Sequence, residues 1–116
     1  DHCSYRREEQ TSPLVRWVQY SQYVYGENSV LPELTYDTAD IPWAWLRERC
    51  WEQMSQYFNF AETDPAPWEA DRTLQWDGST GSRRYLFLYG ERIVFLFLEE
   101  APTAEQMAVI SSNLRP

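Results

Sequence analysis

The chain has 116 residues, 43% hydrophobic and 24% charged, an ordinary balance for one globular domain. Its aromatic share of 16% excludes disorder over most of the length, because so much ring surface offsets the entropy lost on ordering. Ten basic against eighteen acidic residues give a net charge of −8, which argues against nucleic acid and anionic membrane and favours a basic partner or none.

Residues 1–11 are polar and without hydrophobic period, and read as a flexible lead-in to a single domain over 12–116. Ser12 and Pro13 stand at cap and first-turn positions, and Gly26 closes the run. Between them Leu14, Trp17, Val18, Ser21, Val24 and Tyr25 share one helical face, so a helix is expected over about 13–25. The rival is a strand, because the run is rich in Val, Tyr and Trp. A connection with Pro32 follows, with a candidate extended piece at 34–36. Asp40 then stands as the cap of a second helix over about 41–58, with Pro42 in its first turn and a seam through Leu46, Cys50, Met54 and Tyr57/Phe58.

Residues 61–71 hold two prolines and four carboxylates and read as a surface loop. A strand is expected over about 73–76, closed by the turn at 77–81. The strongest signal is a hairpin over about 84–99. Two β-rich runs flank Gly90-Glu91, as a type II′ turn requires. That turn sets the register: Leu88 faces Ile93, Leu86 faces Phe95 and Arg84 faces Phe97, while Tyr85, Phe87 and Tyr89 lie on the other side with Leu96, Val94 and Arg92. Both faces are apolar, so both need cover. The two later helices are expected on one face, and the N-terminal segment or a second copy of the chain on the other. Thr103, with Gln106 three residues on, opens a last helix over about 103–114 by a capping box. The fold class is therefore α+β, a small antiparallel sheet packed with two or three helices.

Missing residue types narrow the chemistry. There is no Lys, so Schiff-base and phosphate-binding lysines are unavailable, and the one His is His2, near the terminus. His2, Cys3 and the distant Cys50 lack zinc-ligand spacing, and no cofactor motif is present. Glu48 and Glu52 lie four apart on one helix face, a spacing that acid–base pairs share with ordinary solvated faces. Asp64, Glu69 and Asp71 do not follow a calcium-loop pattern. No stretch reaches the roughly 20 apolar residues of a membrane-spanning helix.

The chain is expected to be non-catalytic and to bind a protein partner or self-associate. Trp43, Trp68, Trp76, Tyr85 and Tyr89 are the candidate interaction surface, while Trp45 and Trp51 are assigned to the core. Carbohydrate recognition through exposed Trp, and an acidic inhibitor or immunity protein facing a basic toxin, are the alternatives. The start at Asp1 without Met points to a processed polypeptide. A Cys3–Cys50 bridge closing a loop of about 47 residues would add roughly 3–4 kcal/mol. Acidic surface, processed start and bridge together favour an extracytoplasmic location.

Overall fold

The structure, a computed structural model, describes the backbone of residues 2–11, 16–25, 34–57, 59–78 and 80–115, and side chains from Leu34 onward. In chain order come β1 (His2–Thr11), β2 (Arg16–Tyr25), β3 (Leu34–Asp40), α1 (Ala44–Ser55), β4 (Ala61–Glu62), a 3₁₀ turn (Ala66–Trp68), β5 (Arg72–Asp77), β6 (Arg83–Tyr89), β7 (Arg92–Leu98) and α2 (Ala104–Leu114). The strands form one antiparallel sheet in the order β1-β2-β3-β7-β6-β5-β4. An antiparallel sheet carrying two helices is a small α+β fold, as the sequence indicates.

The β6–β7 hairpin is the centre of the molecule. Its register pairs Leu88 with Ile93, Leu86 with Phe95 and Arg84 with Phe97, as read from the turn. Gly90 takes φ +58° while Glu91 stays at negative φ, the signs of a type II′ turn. Because successive side chains alternate across a strand, the hairpin feeds two cores. On one face Leu86 and Ile93 meet Ile41, Trp51 and Leu74, with Leu46, Cys50, Met54 and Phe95 packed around them. On the other, Tyr85, Phe87, Tyr89, Val94, Leu96 and Leu98 meet Trp68, Ile110 and Leu114.

The two helices therefore divide the work, one to each face. They do not share a face, and the second apolar face expected to await the N-terminal segment or another copy is covered by α2 and the 3₁₀ turn. An ion pair ties this layer down. Arg92 donates to both carboxylate oxygens of Asp40 at 2.6 and 3.0 Å, and its third contact is the Leu114 carbonyl at 3.1 Å. One guanidinium thus joins β3, β7 and the end of α2.

The N-terminal third corrects the sequence reading. Of the residues expected as a helix over 13–25, Arg16–Tyr25 form strand β2, and the supposed flexible lead-in is strand β1, paired with it from His2↔Tyr25 to Thr11↔Arg16. Residues 12–15 and 26–33, which carry the supposed cap and stop signals, lie outside the described residues. The physical reason is tertiary. β3 extends over all seven residues from Leu34 to Asp40 and pairs with β7, which leaves its outer edge open to β2. A run rich in Val, Tyr and Trp pairs there from Arg16 to Gln22, and ladder bonds outweigh one cap and a helical spacing.

α1 is also shorter than expected. It starts at Ala44 with Trp43 at the N-cap and no side-chain cap, because Asp40 belongs to β3 and is held by Arg92. Its end is at Ser55; Tyr57 lies in the following turn and Phe58 outside the described residues. α2 follows the expectation closely. Thr103 accepts from the Gln106 amide at 3.2 Å, and Gln106 Oε1 accepts from the Thr103 amide at 2.9 Å.

Candidate functional site

Of the five aromatics expected at an interaction surface, three are core. Trp68 is 2% exposed, with its ring 4.8 Å from those of both Tyr85 and Phe87. Tyr85 and Tyr89 are buried as well, and the Tyr89 hydroxyl donates to the Trp68 carbonyl at 2.9 Å. Burial pushes both phenols above their ordinary range. In Tyr85 the nearby Arg83 opposes that rise and Asp77 adds to it. The loop residue Trp68 is thus a lid turned inward, which the hairpin's alternation requires once α2 covers that face.

Trp76 is half-buried, at the end of a cross-strand row. The Arg84 guanidinium lies 4.5 Å from the Trp76 ring centroid and 5.0 Å from that of Phe97. The carboxylates of the 61–71 loop do not converge. Asp64 caps the Ala66 amide at 3.0 Å, Glu69 pairs with Arg115 at 2.6 Å, and Asp71 accepts from the Gly90 amide at 2.7 Å. Among the described residues no group of three or more His, Cys, Asp or Glu is placed to hold a metal.

Cys50 is a free thiol, half-buried on the side of α1 that packs on the sheet. The expected bridge to Cys3 does not form: Cys3 pairs with Val24 on the edge strand β1, beyond β2 and β3, whereas α1 packs over the hairpin and β5. Strands lie about 4.8 Å apart, so several strand spacings exceed the roughly 7 Å Cα separation a disulfide tolerates.

Trp43 does reach the surface, at 51% exposure, and Trp45, assigned to the core from sequence, is 60% exposed. Helical geometry explains it. At about 100° per residue Trp45 stands about 180° from Met54, which packs on the sheet. The seam through Leu46, Cys50 and Met54 was legible in the sequence; extended back one residue from Leu46, it places Trp45 outside.

Beside this helix opens a cleft of about 360 Å³, lined by Arg47, Glu48, Trp51, Glu52, Arg72, Leu88 and Gly90. It lies between α1, β5 and the β6–β7 turn, and the Ile41 amide, bonded to the Glu91 carbonyl at 2.9 Å, anchors the helix start to that turn. Both cations of the cleft are engaged. Arg47 donates to the Ile41 carbonyl at 2.8 Å, and Arg72 lies 4.9 Å from the Trp51 ring centroid and 3.4 Å from Glu62. Glu48 and Glu52 make no side-chain ion pair or hydrogen bond among the described residues, and both are exposed. The paired carboxylates singled out in the sequence therefore line the cleft with Trp51 of the same helix, and Arg72, Leu88 and Gly90 join them only through the fold.

No family model, curated protein or solved structure matches the chain.

Proposed function

We propose that this chain is a non-catalytic protein-binding domain whose contact surface is the outer side of α1, anchored by Trp43 and Trp45. The exposure of Trp45 carries this reading. Both cores of the domain are built largely from rings and aliphatics, and solvent-facing Trp on a regular helix contributes little to them. Trp is over-represented among the few residues that dominate binding energy at protein interfaces, and two of them flanked by charged side chains have the composition of an anchor and its rim.

Carbohydrate recognition would use the same rings as stacking platforms, and the acidic-inhibitor reading uses the same surface with a basic protein as its target. The extracytoplasmic expectation loses the disulfide as support and rests on the acidic surface.

The test is a comparative capture. Wild-type protein and the W43S/W45S double variant, each with an unchanged far-UV spectrum, are immobilised and offered an extract of the cells that express the chain. A protein retained by wild type and lost by the variant supports the reading. Identical retention by both overturns it.

A further inference from the structure

We propose that β1 is a dimerisation edge: a second copy of the chain pairs with it antiparallel, about a two-fold axis at Arg7. One sheet then runs through both copies.

The two edges of the sheet are built differently. At one end β4 has two residues, Ala61–Glu62, and covers only part of β5. At the other, β1 runs from His2 to Thr11, a span of about 34 Å, with no Pro or Gly inside it. β2 takes one side of β1 along its whole length, and among the described residues no strand takes the other. Alternate residues of an edge strand turn their N–H and C=O away from the sheet, which makes a template for a further strand. Proteins commonly blunt such an edge with Lys, with Pro or by keeping it short, and β1 has none of these. Its charges are Arg6, Arg7, Glu8 and Glu9, two of each sign in a chain whose net charge is −8. An approaching copy therefore meets its partner along a balanced stretch.

The order of those charges selects the occupant and the register. Residues directly opposite in a ladder share a face, and a two-fold axis normal to the sheet preserves faces. Self-pairing therefore joins only residues that are both odd or both even in number. With Arg7 on the axis, Arg6 stands opposite Glu8 of the partner subunit, and Glu8 opposite its Arg6. The ladder then runs from Cys3 to Thr11 on each strand. The two Arg7 positions face each other, each with Glu9 two residues along on the same face. Centring on Arg6 instead leaves no oppositely charged pair. Centring on Glu8 keeps two pairs but shortens the ladder to residues 5–11.

The same axis has a consequence for α1. This helix packs on one face of the sheet only, so both copies present it on the same side of the joined sheet. β2 and β3 lie between it and the joint, and dimerisation leaves its outer side open. The dimer does not depend on the reading of α1 as a contact surface.

Sedimentation equilibrium of the full chain at about 0.15 M salt, where exposed charges beyond about 8 Å are screened, should show monomer and dimer at submillimolar concentration. R6E and E8R each set like charges opposite one another twice, and each alone should dimerise about tenfold more weakly or worse. Their equimolar mixture should recover wild-type association, because every such pair is then of opposite sign. A wild-type chain that stays monomeric to millimolar concentration overturns the proposal. So does a mixture no more associated than either variant alone. Where a variant loses its far-UV spectrum, amide exchange on the wild-type chain decides. The β1 amides should gain protection as concentration rises, while those of β4 and β5 should not. Protection of β1 that is independent of concentration overturns the dimer.

Discussion

Replacing Trp68 and Trp45 in turn by alanine separates core from surface. A buried Trp removes up to about 250 Å² from water, worth about 6 kcal/mol at 25 cal/mol per Å². Trp68 is 2% exposed, so nearly all of that applies. Discounting for a compact unfolded state lowers the figure to about 4–5 kcal/mol, the range of large-to-small core substitutions. The cavity opens against Tyr85 and Phe87, whose rings sit 4.8 Å away, and they are held by the sheet and cannot close over it. Trp45, 60% exposed, buries about two-fifths as much, and alanine is the better helix former, so Trp45→Ala should cost less than about 2 kcal/mol. Urea unfolding followed by far-UV circular dichroism gives both values from midpoint and slope. A Trp68→Ala loss below about 2 kcal/mol, or equal losses at the two positions, refutes the inward placement of Trp68 and the outward placement of Trp45.

The remaining expectations concern the tyrosines, the ion pair and the capping box. Burial raises the Tyr85 and Tyr89 phenols, so above the ordinary value of about 10 the unfolded chain sheds protons that the folded chain keeps. Stability is therefore unaffected by these groups below about pH 10 and falls as pH rises beyond it. Tyr89→Phe should flatten that alkaline fall, and an unchanged slope in urea midpoints from about pH 8 to about pH 11 contradicts the assignment. Asp40→Asn strands the Arg92 guanidinium, whose side chain is 16% exposed, and should cost about 1–3 kcal/mol with faster amide exchange at the end of α2. A coupling near zero in the Asp40/Arg92 double-mutant cycle refutes that latch. Thr103→Ala should lose about 1 kcal/mol, and a loss no smaller in a Gln106→Ala background counts against the reciprocal capping box.

Local chemistry carried through to the structure where the deciding contacts are close in sequence. Gly90 admits the positive φ that the two-residue turn needs, and the turn then dictates every pair of the hairpin down to Arg84↔Phe97. Thr103 and Gln106 satisfy each other's backbone amides within one turn, so α2 begins where its sequence indicates. Asp40 shows the opposite case. Its position before Pro42 has the form of a helix cap, but Arg92, far along the chain, holds both of its oxygens, and the helix starts later without a side-chain cap.

What the sequence by itself determined is the fold class, the two-faced hairpin with its register, the final helix and the pair Glu48 and Glu52 on one helical side. What only the tertiary structure decided is the use of each face. Residues 2–11 and 16–25 are strands because β3 offers an edge to β2 and β2 offers its other edge to β1, partners that no window of local sequence contains. Trp68, Tyr85 and Tyr89 are interior because α2 lies over their side of the sheet, and Trp45 is exterior because the opposite side of its helix lies on the other core. The cleft exists because α1 passes beside Arg72, Leu88 and the Gly90 turn. Burial depends on which surfaces meet, and most of these meetings join residues far apart in the chain.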